Sequence, residues 1–402
     1  MPNVVVTTVA IVMFKLLGIS NAEIAFYTSW LYLPWVVKPL WSPLVDIFRR
    51  KRWWILIMQL MIGGSLAGVA LVLPGPDYFR YSLVFLWLLA FSSATHDIAA
   101  DGFYMIGLTS KRQAYFVGIR NTFYRIASVA GQGGVVVLAG RLVGWDRIGN
   151  MQAAWSITFG ILAVLFGLFF LYHRAVLPRP TGDVAAHADE GPWAAFGETF
   201  VSFFRKPGIG AALTFILVYR LAESQLLKIA SPFLLDAREA GGLGLPPETY
   251  GVVYGTLGVI ALTAGGIIGG IAVSRQGLKA WIRWMVCAMN LPNFAYFYLA
   301  LAQPESIVTI SACVVIEQFG YGFGFTAFML YLILFAEGAS KTAHYALCTG
   351  FMALGLMLPG MFSGWIQETV GYVNFFVWVL VCTIPGFLII RLLKIPENFG
   401  KA

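Results

Sequence analysis

The sequence predicts an all-α integral membrane protein of twelve membrane-crossing helices in two six-helix halves. Three observations carry that prediction. Of 402 residues, 59% are apolar and only 11% charged, with a mean hydropathy of +0.78, a balance that no soluble core of this size encloses. The apolar residues fall into runs of about 20 or more, the length that a hydrocarbon layer of ~30 Å demands of a helix. One polar stretch, 174–207, divides these runs into two sets.

Taken in order, full spans are expected at approximately 22–45, 53–73, 79–108, 114–140, 151–173, 208–235, 249–274, 279–302, 306–336, 343–367 and 373–393. Ahead of them only Asn3 to Phe14 is free of charge before Lys15. At 1.5 Å per residue that piece reaches about 18 Å, so the first span reads as truncated, with its other half expected upstream. Restoring it makes an N-terminal half over 1–173, a linker over 174–207 and a C-terminal half over 208–402. The linker carries Pro178, Pro180, Gly182, Asp183, Asp189, Glu190 and Gly191, and its end, Trp193 to Lys206, reads as an interfacial amphipathic helix.

The formal charge of +8 does not point to nucleic acid, because most of the 27 basic residues sit in short loops between spans. They concentrate on one side, in Arg49–Arg52, Lys111, Arg112, Arg174, Arg205, Lys206, Arg275, Lys279, Lys341 and Lys394, against Lys15, Arg80, Arg141, Arg147 and Arg238 on the other. The positive-inside rule then places the linker and the C-terminus in the cytoplasm, with the chain in the cytoplasmic (inner) membrane. Cys287, Cys313, Cys348 and Cys382 lie in apolar runs without metal-ligand spacing and read as packing residues. Neither a metal nor a cofactor is expected.

Ionisable residues inside the spans are the functional signal, since a charge at the bilayer centre costs at least about 3 kcal/mol. His96, Asp97 and Asp101 share one span; Arg120 and Arg125 the next; Arg220, Glu223 and Lys228 a third; Glu317 stands by itself in a fourth. Together they imply a shared polar cavity. Asp97 and Asp101, four apart, lie on one helix face and are candidates for holding a transportable proton, or else for pairing with Arg120 or Arg125. Arg220 and Glu223, three apart, are expected to pair along their helix, which leaves Lys228 without a local partner. Glu317 either pairs across the halves or carries a proton. Arg125, beside Tyr124, is a candidate for gripping a substrate carboxylate with its planar fork. With Tyr124, Arg220, Lys228, Lys38 and His96 it makes up the expected substrate-contacting set; Asp97, Asp101, Glu223 and Glu317 make up the expected proton-coupling set.

The halves also echo one another. Ser42-Pro-Leu-Val-Asp46-Ile-Phe-Arg49-Arg50-Lys51-Arg52 follows one span, and Gly270-Ile-Ala-Val-Ser274-Arg275-Gln-Gly277-Leu-Lys279 follows another. Both resemble the Gly-x-x-x-Asp-Arg-x-Gly-Arg-Arg loop of the major facilitator superfamily. That resemblance implies a conformational latch formed by Asp46, Arg49, Arg50 and Arg275, although the second copy has Ser274 where the family has an acid. Within the superfamily, Lys38-Pro-Leu-Trp41-Ser42-Pro43-Leu44-Val-Asp46 resembles the signature of the AmpG-type muropeptide permeases, which group with the acetyl-CoA transporters. Asp97-Ile-Ala-Ala-Asp101, Tyr124-Arg125, Tyr219-Arg220-Leu221-Ala222-Glu223 and Glu317 with Gly320, Gly322 and Gly324 are similar to further motifs of that family, in order. Gly102 is closer to the acetyl-CoA branch.

No phosphate-binding loop and no catalytic constellation is read, so an enzyme is not expected. Gly131-Gln132-Gly133-Gly134 stands where drug antiporters carry a Gly-Pro element. What the resemblance implies is an alternating-access symporter that imports a muropeptide or related amino sugar with protons; the alternatives are a carrier of an acyl-CoA-like anion and a non-transporting membrane protein that signals or assembles. Trp30, Trp35, Trp53, Trp54, Trp281 and Trp284 read as membrane-interface anchors. Gly251/Gly255, Gly265/Gly269 and Gly266/Gly270, each pair four apart, predict close helix contacts.

Overall fold

A computed structural model describes residues 2–107, 123–124, 126–144, 148–183, 192–338 and 341–401, and among them every regular element is a helix. In chain order these are α1 (Pro2–Leu16), α2 (21–48), α3 (Lys51–Val72), α4 (Tyr78–Gly107), α5 (Ile126–Val143), α6 (Met151–Val176), α7 (Pro192–Phe204), α8 (Ile209–Leu235), α9 (Pro247–Gln276), α10 (Leu278–Ala302), α11 (Ile307–Ala336), α12 (341–370) and α13 (372–392). Nine described helices are long and apolar enough to cross a membrane. The last of these, His344–Leu392, is two crossings, because Gly371 (φ 78°) turns the chain between α12 and α13. Adding the interrupted α2 and the short α1 gives twelve crossings, with α7 as the linker helix.

Helix starts follow local chemistry. Ser20 caps α2 by accepting from the Glu23 N–H, and its hydroxyl donates to the Glu23 carboxylate. Asn150 caps α6 through the Ala153 N–H, and Ser306 caps α11 through that of Thr309. Interruptions matter more to function. α8 breaks at Tyr219–Arg220, where Arg220 leaves helical geometry (φ −105°, ψ 20°). Wider π-type turns occupy Val5–Val9 in α1, Ala130–Gly134 in α5 and Val253–Gly258 in α9, and these three stretches pack together where the halves meet.

The chain alternates direction, so the ends of α1, α8 and α12 and the starts of α2 and α13 share one end of the bundle, here called the far end, opposite the linker. There the apolar core is continuous across both halves: Val9, Phe14, Leu31, Phe159, Leu226, Phe233, Tyr250 and Phe376 belong to one buried cluster. Toward the linker the cores are separate. One cluster, around Phe203, Phe215, Tyr219, Phe328 and Leu332, belongs to the second half with α7; another, around Val45, Ile55 and Ala99, belongs to the first. Among the described residues the halves thus share one apolar core at the far end and have separate buried clusters toward the linker end, where α2 and α12 still touch at Val36 and Gly350.

Small residues set how closely the halves approach. A Cβ added to Gly364 on α12 would sit 2.0 Å from the Asn21 carbonyl oxygen, and one on Gly255 of α9 would sit 2.4 Å from that of Gln132 on α5. Of the expected glycine pairs, Gly251/Gly255 meets α5 across the halves and Gly265/Gly269 meets α11, whereas a Cβ on Gly270 would touch nothing.

α7 is not merely interfacial, as the sequence suggested. Phe203 is fully buried and stacks on Phe351, and Lys206 donates to the Phe335 and Glu337 carbonyls at the end of α11. The linker helix therefore docks on the second half.

Candidate functional site

Between the far-end core and the divided linker end lies a belt of buried polar side chains. At the break in α8, Arg220 and Glu223 make no direct hydrogen bond or salt bridge among the described residues, although the Arg220 charge acts on Glu223. Arg220 turns to α11, where it donates to the Tyr321 hydroxyl and lies 5.3 Å, 4.8 Å and 5.9 Å from the ring centres of Tyr321, Phe325 and Phe328. Guanidinium on aromatic faces is a favourable but only partial substitute for an anion. Glu223 is 2% exposed, and among the described residues neither carboxylate oxygen has a hydrogen-bond partner. Glu317, also 2% exposed, accepts only from Gln318 among the described residues, at 2.9 Å, and lies within electrostatic reach of Glu223. Lys228 crosses to the first half, donating to Thr28 Oγ1 at 2.9 Å with its ammonium 4.9 Å from the centre of the Tyr32 ring.

Tyr124, just before α5 in the chain, is 55% exposed and within electrostatic reach of Tyr32 and Tyr321. Arg120 and Arg125 lie outside the described residues. Asp97 accepts from Trp35 Nε1 at 3.3 Å and feels Lys38 and Asp101, a cluster between α2 and α4 inside the first half. Trp35 is thus an internal hydrogen-bond donor rather than a membrane-interface anchor. His96 meets Gln59, which stands 3.4 Å from its Nε2 and 2.7 Å from His173 Nδ1, and it also feels Asp101. The expected set therefore resolves into three groups: Arg220, Glu223, Lys228, Glu317 and Tyr124 between the halves; Lys38, Asp97 and Asp101 between α2 and α4; His96 among α3, α4 and α6. Among the described residues no three His, Cys, Asp or Glu side chains come together as a metal site.

Of the expected latch, the Asp46 side chain lies outside the described residues. Arg49 stands 5.9 Å from the Trp53 ring centre; Arg50 and Arg275 are exposed. The loop before α3 is held by an acid of the linker, Asp183. Asp183 is buried and accepts from the Lys51 and Arg52 backbone N–H groups at 2.7 Å and 3.1 Å, capping α3, while the Arg52 side chain bonds the Leu177 and Arg174 carbonyls. The second half repeats the arrangement. Its tail returns under the loop between α9 and α10, where Leu278 N–H donates to the Phe399 carbonyl at 2.9 Å and Lys279 pairs with Glu397 at 3.0 Å. In each half the segment after the sixth crossing straps the loop between the second and third.

The far end is closed by a second network that sequence reasoning missed. Lys15 on α1 pairs with Asp236 at the end of α8 and donates to Asn21 Oδ1 at 2.8 Å. Asn21 donates to Gln367 Oε1 at 2.6 Å and to the Tyr372 hydroxyl at 2.9 Å, and that hydroxyl donates to Asp236. The Ala22 N–H donates to Glu368 at 2.9 Å. Charged residues just beyond apolar runs were the available signal, but nothing local says which of them meet.

Residues 3–358 match the sequence model of the Major Facilitator Superfamily. The chain is 25% identical over 361 residues to the anhydromuropeptide permease of Escherichia coli (strain K12), covering 89% of this chain and 70% of the permease. It is 26% identical over 413 residues to putative transporter AmpG 4 of Rickettsia felis, covering 99% and 94%. Among solved structures, a bacterial homolog of the human lysosomal transporter Spinster, inward-facing and unoccupied, superposes with a TM-score of 0.73 at 16% identity over 100% of this chain and 95% of that one. A D-xylose-proton symporter does so at 0.70 and 13%, over 100% and 99%. At these identities the likeness to solved structures is one of fold.

Proposed function

Because this chain belongs to the major facilitator superfamily, and is an AmpG-like permease within it, we propose that it is a proton-coupled symporter that imports a muropeptide or related amino sugar across the cytoplasmic membrane. The observation that carries the coupling is Glu223, a buried carboxylate with the Arg220 charge nearby and, among the described residues, no hydrogen bond to either oxygen. Such a group is chemically incomplete, and a proton or a donating ligand completes it. Glu317 lies close enough to respond to its charge. A site whose proton and ligand occupancy depend on each other is what coupled transport requires. Asp97 and Asp101, beside Lys38 and Trp35, form a second acidic group that can exchange a proton as α2 and α4 shift.

Arg220, Lys228 and Tyr124 supply positive charge and aromatic faces to a solute that carries both carboxylates and sugar rings. With the linker and C-terminus cytoplasmic by the positive-inside rule, the closed far end is the outer one and the described state faces inward. Proteoliposomes loaded with purified protein and given an inward proton gradient should accumulate labelled anhydromuropeptide, and dissipating the gradient should stop accumulation. Gradient-driven uptake of acetyl-CoA in place of muropeptide would overturn the substrate assignment and favour the acyl-CoA reading.

A further inference from the structure

Lys228 is a buried cation without a counter-anion. It is 2% exposed, and no carboxylate among the described residues lies within salt-bridge distance of its ammonium. Glu223 is five residues away on the same helix, about 140° round, and its oxygens accept nothing. Of the three N–H donors on an ammonium, one is used on a neutral hydroxyl, that of Thr28. The Tyr32 face adds a weak attraction. A buried charge compensated only by neutral groups is held at a cost that a matching anion would relieve.

In this state the surroundings are packed too closely for that anion. Ser29 Oγ, next in sequence to Thr28, is buried with no hydrogen-bond partner among the described residues. Opposite it, a Cβ on Gly360 of α12 would already be crowded, 3.1 Å from Ser29 Oγ and 3.4 Å from Lys228 Cε. A lysine, an unused hydroxyl, an aromatic face and a glycine thus converge where α2, α8 and α12 meet. Once α2 draws away from α8 and α12, a carboxylate can accept from the ammonium and from the Ser29 hydroxyl.

We infer that Lys228 is the receptor for a carboxylate of the transported solute, and that closure of the far end expels this carboxylate by packing Thr28, Ser29 and Gly360 around the ammonium. Thr28 belongs to the first half and Lys228 to the second, so their bond exists only when α2 and α8 are drawn together. In that state the packing leaves the carboxylate no room, and the solute is released toward the linker end. With the halves apart at the far end the space opens and the charge-assisted bond to the carboxylate forms. Closure of one end and discharge at the other become a single event.

This inference rests on the muropeptide reading, since the peptide part of such a solute bears free carboxylates. The test compares uptake into proteoliposomes of an anhydromuropeptide with free carboxylates and of the same compound with those groups converted to carboxamides. The wild-type protein should show a KM about tenfold lower for the acid form, as expected where a charge-assisted bond is replaced by a neutral one. Lys228→Gln should erase the preference and Lys228→Arg should keep it. Thr28→Val should keep the preference, because the hydroxyl occupies only one of the three ammonium donors. Equal uptake of both forms by the wild-type protein overturns the Lys228 assignment and leaves the muropeptide reading standing, without depending on whether any variant folds. Uptake of neither form defeats the muropeptide reading and this inference with it.

Discussion

Lys15 Nζ and Asp236 Oδ1 lie 2.6 Å apart and join the two halves of the molecule across their closed end. The residues are more than two hundred positions apart in sequence, on α1 and at the end of α8. Their side chains are 14% and 19% exposed, so the pair is screened less than a surface bridge and is reinforced by Asn21, Gln367 and Tyr372 around it. It sits at the mouth that must open for a solute to enter from the far side.

The first prediction follows from that position. Asp236→Asn removes the charge but keeps the shape, and loss of a partly buried pair of this kind costs roughly 1–2 kcal/mol. The closed far end should be depopulated about tenfold relative to the open one. Spin labels placed across the far end should report longer distances, and the double exchange of Lys15→Asp with Asp236→Lys should shorten them again. Unchanged distances in Asp236→Asn would show that glycine packing alone holds this end.

Glycine packing has its own test. At Gly364 a methyl group would meet the Asn21 carbonyl oxygen, a backbone atom that cannot step aside. Gly364→Ala should therefore fold, because the clash is between halves rather than within a helix, but should resist closing the far end and lose most uphill transport. Gly64→Ala on α3, where nothing lies within 4 Å of the added carbon, should transport normally. Equal activity of the two variants would disprove the idea that closure depends on this contact.

The straps at the linker end predict a difference between the halves. Asp183 caps α3 from a buried position, so Asp183→Ala should lower stability by about 1 kcal/mol, with Asp183→Ser recovering part of it. The corresponding Glu397 is exposed, and Glu397→Gln should leave the melting temperature unchanged at neutral pH. Lys279 holds the Glu397 carboxyl below its usual range through a hydrogen bond and its charge. A depressed acid contributes its contact above the ordinary glutamate range and loses it as pH falls through the lowered value. Tail docking, read by proteolysis after Leu393, should accordingly be the same at pH 8 and pH 6 and should loosen only in stronger acid.

The coupling assignment separates two acidic groups. Glu223→Gln and Glu317→Gln should abolish accumulation driven by a pH gradient while leaving counterflow exchange, which moves no net proton, partly intact. Asp97→Asn and Asp101→Asn, in the group beside Lys38, should act the same way if α4 also carries a proton. Uphill accumulation that survives in both glutamate variants but not in the aspartate ones would move coupling into the first half.

The crossings, their number and the residues worth suspecting were legible in the chain itself, because lipid forces each span to be long and apolar and makes every charge within it conspicuous. Arg220, Glu223, Lys228 and Glu317 stood out on that ground alone, and hydropathy located the spans on which they sit. Their partners did not. Helical spacing suggested Arg220 with Glu223, and the Arg220 charge does act on that acid, yet the break at Tyr219–Arg220 sends the arginine's hydrogen bond to Tyr321. The loop motif suggested Asp46, whose side chain lies outside the described residues, and nothing local pointed to Asp183 as the cap of α3. Lys15 and Asp236, or Lys228 and Thr28, meet only once twelve helices have packed. Hydropathy acts within one helix at a time, so sequence determines which segments enter the membrane and which groups are costly there; the contacts that relieve those costs are made between helices far apart in the chain, and only the tertiary structure decides them.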